Sequence, residues 1–437
     1  MHVPRSGAPA LSRAAQLGAA FATLVMVAAG AAVGAPGDAL ANDGQTHPNA
    51  QSAAGHARAL EAQEMTQALV GLSRRHARAS EVSRPPIAAE MVALAEERRA
   101  LLAELMAEDP GEVMRLAVPD HVARRMPAEV QDLLEQRVEL EGEFAVFHVD
   151  GVDPADSYYE HILTTPAGER FSLHFANGMP DALTGTEIRA NGVFLEGAGP
   201  NRLGPTDGSM ALGSGEEDLE VLACCGGSGG SISAAAPQLE NTFGQQRTVV
   251  LMVNFQDDKS KPYTASEIAA VMDGSSNDFL LENSYGQTWL NTDIFGWYTL
   301  PLNSSGCPIF EIKQAAQQAA QAAGVDLTPY VRFIYAFPKN DCPGAGLSTI
   351  GGNPSDAWIY SGFQWSIVTH EVGHGLGLYH SHSLDCGTTP IGGSCTSSEY
   401  GDIVDLMGSL HAAHFNAFQK ERLGWLGYGA SPPLNVV

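Results

Sequence analysis

One run of eleven residues carries the densest chemistry in the chain: His370-Glu371-Val372-Gly373-His374-Gly375-Leu376-Gly377-Leu378-Tyr379-His380. Two histidines four apart lie about one turn apart on one helix face, so both imidazoles reach a single ion. Neutral imidazole suits zinc, which keeps one position open for water in catalytic sites. Glu371, next to the first ligand, points at that water rather than at the metal and is the expected general base. Gly377 stands where the helix must stop. A residue without a Cβ turns there at little steric cost, and the turn swings His380 in as a third nitrogen. His382, His411 and His414 compete for that place, His382 most directly, and the register set by Gly377 favours His380. The chemistry is hydrolysis: zinc acidifies its bound water and polarises a carbonyl, while Glu371 accepts the proton and delivers it to the leaving amine.

Such a site needs a helix through Trp365–Gly375 and a core to hold it. The segment from 245 to 437 reads as an α/β domain. Apolar runs at 248–255 and 330–337 are strong buried strands, and helices are expected near 265–272, 278–284 and 311–323. Residues 143–225 read as β-rich, with Phe171, Leu173 and Phe175 alternating with other residues and a strand over 186–193 ending in a turn; a small barrel or sandwich fits this length. Residues 42–142 read as helical, with Met91, Leu94, Leu101, Leu102 and Leu105 at helical spacing and prolines dividing the region into short helices. Between the β-rich part and the α/β domain, 226–244 is Gly-, Ser- and Ala-rich, expected to be flexible and open to an activating protease. The alternatives are a helical accessory domain and an uncut linker.

Residues 1–41 resemble a signal peptide: Arg5 and Arg13 precede an apolar stretch, and Ala39-Leu40-Ala41 offers a cleavage site. An uncleaved anchor is the alternative, and no later stretch is apolar enough to span a bilayer. Secretion, or export to a periplasm, is therefore expected. The six cysteines suit an oxidising compartment, and proximity favours Cys307–Cys342 and Cys386–Cys395. A net charge of −26 excludes nucleic-acid backbones as partners, since no basic surface displaces counterions.

The eleven-residue motif resembles the zinc motif of metzincin metallopeptidases. Met407, in Asp405-Leu406-Met407-Gly408, resembles their Met-turn. Glu399-Tyr400-Gly401-Asp402, Phe415-Asn416-Ala417, Leu423-Gly424-Trp425 and, more weakly, Asn283-Ser284-Tyr285-Gly286 make the chain most similar to the gametolysin-like peptidases over roughly 245–427. The resemblance implies an α+β catalytic domain with a zinc cleft between two subdomains, preceded by a helical and β-rich pro-region. It also implies proteolysis of extracellular proteins. Ser409 stands where some metzincins carry an oxyanion-stabilising Tyr, and whether Tyr400 replaces it is open. A thiolate from Cys224 or Cys225 would occupy zinc's open position, as in cysteine-switch metzincins, although Leu222-Ala223-Cys224-Cys225-Gly226 differs from the best-known switch motif; a disulfide is the alternative. Asp402 and Asp405 are candidates for calcium without a firm motif. Two other functions fit the motif: a zinc amidase for a non-protein substrate, and an inactive secreted binding protein. An intact Glu371 argues against the second.

Overall fold

The computed structural model describes residues 53–151, 156–180, 182–197, 203–213, 218–223, 239, 241–389, 392, 395–412 and 414–426. The expected signal segment, Cys224, Cys225 and most of 226–244 lie outside them.

Helices come first: α1 (Ala53–Arg78), α2 (Arg84–Glu108), α3 (Pro110–Leu116), α4 (Asp120–Ala123) and α5 (Ala128–Gln131). Asp109-Pro110 is a helix start: the Asp109 side chain accepts the Glu112 amide, and Pro110 occupies the first turn, where its missing N–H costs nothing. Met91, Leu102 and Leu105 are buried as their spacing predicts, while Leu94 and Leu101 sit at the margin. Leu69 and Leu72 of α1 meet Met91 and Ala95 of α2, together with Val118, Val130 and Leu134. Beside them, Arg98 and Glu135 form a fully buried bidentate pair, and Arg98 also donates to Thr66 Oγ1 and the Leu116 carbonyl.

Strand β1 (Gln136–Asp150) begins inside the segment expected to be helical and runs through the expected boundary. It is followed by β2 (Tyr158–Thr164), β3 (Arg170–Phe175), β4 (Thr186–Glu196), β5 (Gly208–Leu212) and β6 (Leu219–Ala223). The first part of β1 pairs with β4 and the later part with β2; β2 pairs with β3, β3 runs parallel to β5, and β5 returns to β4. The five strands thus close into a small OB-like barrel. β4 does not turn at Asn191-Gly192 as expected. It continues to Glu196, because Gly192 serves close approach: a Cβ there would strike the Ala211 carbonyl of β5.

The remaining elements are β7 (Gly244–Phe255), α6 (Ala265–Ala269), a π-helical turn (Ala270–Ser276), α7 (Asn277–Asn283), β8 (Thr288–Leu300), α8 (Ile309–Ala322), β9 (Arg332–Ala336), β10 (Gly346–Thr349), β11 (Ser355–Ile359), α9 (Trp365–Gly375), β12 (His382–Asp385), β13 (Thr396–Glu399) and α10 (Ala417–Arg422). Strands β8, β7, β9 and β11 are mutually parallel in that order, and β10 lies antiparallel beside β11. Parallel strands are buried on both faces. In β7, Val250 and Met252 face the core shared with Val368 and Val372 of α9, while Val249, Leu251 and Val253 face Ile309, Ile312 and Ala316 of α8.

The outer edge of β10 is not free. Residues 147–150 of β1 pair with it antiparallel, so the barrel and the α/β layer share one eleven-stranded sheet. The cysteines pair as expected, Cys307 with Cys342 and Cys386 with Cys395.

Replacing Arg98 by Met should destabilise the protein by about 3–5 kcal/mol, because Glu135 keeps its buried charge with only the Val118 amide to meet it. Arg98→Met combined with Glu135→Leu should recover most of that loss. Chemical denaturation of the three proteins checks both statements.

Candidate metal centre

α9 is buried on all sides through its second half and ends in a Schellman motif. The Gly377 amide donates to the His374 carbonyl at 2.7 Å and the Leu378 amide to the Gly373 carbonyl at 3.1 Å. Gly377 takes φ +100°, and a Cβ there would come within 2.7 Å of the Leu239 side chain. Buried Arg332 donates to the Gly375 carbonyl, satisfying another acceptor at the helix end. The Met407 sulfur packs beneath the helix, 2.6 Å from where a Cβ on Gly373 would stand.

This turn brings His370, His374 and His380 together. His370 Nε2 lies 3.1 Å and His374 Nε2 3.2 Å from His380 Nε2. Each opposite ring nitrogen faces an acceptor. His370 Nδ1 donates to the Leu406 carbonyl at 2.9 Å, His374 Nδ1 to the Leu378 carbonyl at 2.8 Å, and His380 Nδ1 to Glu399 Oε1 at 2.8 Å. With the Nδ1 atoms held outward, the three Nε2 atoms and Asp150 converge in one buried space, an arrangement that suits a cation. A four-coordinate ion with imidazole bonds of about 2.0–2.1 Å has donor–donor edges of about 3.3 Å, close to the observed spacings.

The fourth group is Asp150, the last residue of β1. Its Oδ1 lies 3.1 Å from His370 Nε2 and 2.9 Å from His380 Nε2, and its Oδ2 3.7 Å from His374 Nε2. Alternation along the strand aims His148 the same way. Its ring centroid is 4.0 Å from that of His380, and its Nδ1 is 3.3 Å from Asp150 Oδ1. His148, Asp150, His374 and His380 therefore form an overlapping donor set. The set containing His370 fits an ion better, because its three nitrogens are pre-turned inward, whereas the His148 nitrogens lie against the carboxylates of Asp150 and Glu399.

Glu371 is buried next to this group and accepts a hydrogen bond from Ser348 Oγ at 2.7 Å. It fits only because Gly346 has no side chain: a Cβ there would overlap the Glu371 carboxylate. Burial, and then the charge of Asp150, push the Glu371 carboxyl well above the usual carboxylate range, against the Ser348 hydrogen bond. For Asp150, burial acts upward but is outweighed by His370 and His148, so its carboxyl sits well below the usual range. Burial lowers His374 to about 4 and His380 to about 3, favouring neutral rings, whereas for His370 burial is outweighed by the neighbouring Asp150 carboxylate and the shift is upward.

His382, His411 and His414 stay outside the cluster. His382 Nδ1 faces the His380 carbonyl, His411 is exposed, and His414 lies 3.6 Å from Glu282. Asp405 accepts from the Met407 and Asn416 amides and Ser381 Oγ, and Asp402 from the Val404 amide and Asn416 Nδ2. Both carboxylates, candidates for calcium by sequence, thus hold the turn containing Met407. Tyr400, with φ +57°, aims its hydroxyl at Asp150 Oδ1, 2.6 Å away. Asp150, His148 and the role of Glu399 escaped the sequence reading; the only local signal was a His-x-Asp alternation ending a strand.

Residues 269–431 match the family model described as gametolysin peptidase M11, so this part of the chain is similar to that family of metallopeptidases. No curated protein sequence matches the chain.

Gly377→Ala should cost about 1–2 kcal/mol from the left-handed backbone alone, with further loss from displacing Leu239. Metal affinity should fall as well, because the turn that presents His380 to His370 and His374 moves. Competition with a chromophoric chelator checks it.

Proposed function

We propose, with the gametolysin-like segment as premise, that this protein is a secreted zinc endopeptidase of the metzincin type, made as a latent precursor and acting on extracellular proteins. His370, His374 and His380 hold the zinc, and Glu371 is the general base. The substrate cleft lies along β10 and α9, between an upper subdomain containing the sheet and a lower one containing the Met407 turn. Residues up to about 244 form the pro-region. The observation that carries this reading is the placement of Glu371: buried, oriented by Ser348, and beside three imidazoles whose Nε2 atoms converge. A site that only stabilised the fold would have no use for such a carboxylate.

Zinc, when bound, acidifies a water molecule and polarises the scissile carbonyl. Glu371 takes the proton from the water as its oxygen attacks the carbonyl carbon, then passes that proton to the amine nitrogen as the peptide bond breaks. Withdrawal of Asp150 from the cluster would remove one of the two causes that raise Glu371, shifting it toward the ionised form that a base requires. Glu399 fixes the His380 tautomer by accepting its Nδ1 proton. The β10 edge, once freed, offers backbone groups to which an extended peptide adds as a strand.

Removal of the pro-region has a sequence requirement. No Lys or Arg lies between 203 and 246, whereas Ala234-Ala235-Ala236 offers small residues, so an elastase-like protease should activate the precursor and trypsin should not cut there. After such treatment the protein should digest casein, and a zinc chelator should abolish the activity. Glu371→Gln should lower kcat/KM by a factor of about 10²–10⁴ or more, with metal content unchanged. Full activity in that variant, or activity indifferent to chelation, would overturn the assignment.

A further inference from the structure

Resting on the zinc-peptidase reading above, we propose that Asp150 is the group that keeps the precursor latent, its carboxylate serving as the fourth ligand of the metal in place of water. A carboxylate oxygen 2.9 and 3.1 Å from two imidazole nitrogens is an attractive contact when a cation, a proton on the imidazole or a metal ion, lies between them. Those separations match the edges of the same tetrahedron that the three nitrogens describe, about 3.3 Å. Asp150 Oδ2, buried and 3.7 Å from His374 Nε2, faces the same space.

The delivery is built into the sheet. Asp150 pairs with Gly346 across the β1–β10 ladder, so its side chain leaves the strand directly above Glu371. The strand end is pinned on both sides of the carboxylate. Ala345 donates to the Asp150 carbonyl at 2.9 Å and Gly151 to Ser157 Oγ at 2.9 Å, while the Tyr400 hydroxyl bonds Asp150 Oδ1. The same four residues of β1 cover the β10 edge, so one strand blocks both the metal and the backbone groups a peptide would use. Cys224 and Cys225 are not needed for this arrangement.

The test uses the uncut full-length protein loaded with zinc, and reads binding of a small hydroxamate by calorimetry rather than turnover. Wild type should bind it on the order of 100-fold or more weaker than Asp150→Ala, because an intramolecular ligand competes at a millimolar or higher effective concentration. Asp150→Asn should fall between them, and Tyr400→Phe should weaken the block partially. In the cobalt-substituted uncut protein, Asp150→Ala should show a pH-dependent visible spectrum from a titrating water, and wild type should not. If Asp150→Ala fails to fold, Asp150→Asn and Tyr400→Phe carry the same readouts. Equal hydroxamate affinity in wild type and a folded, zinc-loaded Asp150 variant overturns the proposal. So does opening of the site by Cys224→Ser or Cys225→Ser alone. Absence of stoichiometric metal in every variant, or a cleaved protein that binds hydroxamate yet hydrolyses no peptide, would instead defeat the peptidase reading.

Discussion

Three imidazoles converging on one buried space, two of them within hydrogen-bond distance of His380 Nε2, are the constraint that the surrounding structure satisfies. Each ring is held by its outer nitrogen, and the three acceptors come from different places: the Leu406 carbonyl before Met407, the Leu378 carbonyl in the turn after α9, and Glu399 at the end of β13. Each acceptor is itself positioned. Asp405 holds the Met407 turn through two amides and a hydroxyl, the Schellman turn at Gly377 places Leu378, and the Cys386–Cys395 hairpin carries Glu399. Rings held by their outer nitrogens are thus preorientated before any ion arrives, which confines the reorganisation on binding to release of the cation's water and of any proton on His370.

The second organising feature is the continuity of the sheet. β1 closes the barrel with its first part and completes the α/β layer with its last four residues. A linker alone would let the barrel drift. A strand shared by both layers fixes the distance from the barrel to α9 within the tolerance of a backbone ladder. The register then decides which side chains face the cluster: His148 and Asp150 do, and Val149 joins the opposite core. A slip of one residue would exchange these faces. The side chain opposite Asp150 must be absent, and Gly346 meets that need while leaving room for Glu371.

The energetics of the cluster differ from those of the rest of the molecule. At α2, buried charge is neutralised by a single ion pair, Arg98–Glu135. At the centre, Asp150 and Glu371 are two buried carboxylates pushed in opposite directions, one stabilised as an anion by neighbouring imidazoles and the other held as the acid. Pairs of titratable groups driven apart in this way mark sites of proton chemistry.

Much of this was legible in the sequence where the governing distances are short. The i, i+4 spacing of His370 and His374, Glu371 between them and the stop at Gly377 fix α9 and its turn, because helix geometry and a left-handed backbone are decided within a few residues. Alternation and apolar runs marked β3, β7 and β9, and sequence proximity picked the two disulfide pairings among the cysteines. The strand that crosses the expected boundary at 142 carries an alternation of its own, Val138, Leu140 and Phe144 against Glu139, Glu141 and Glu143, so its start was legible; the helix-forming glutamates hid it within the region read as helical. Asp150 was invisible for a different reason. It is separated from His370 by 220 residues, and nothing in its own neighbourhood says which sheet edge its strand will join. Local sequence determined the chemistry of the histidine-bearing helix α9; the choice of what faces it belongs to the pairing of β1 with β10, a long-range contact that only the folded chain makes.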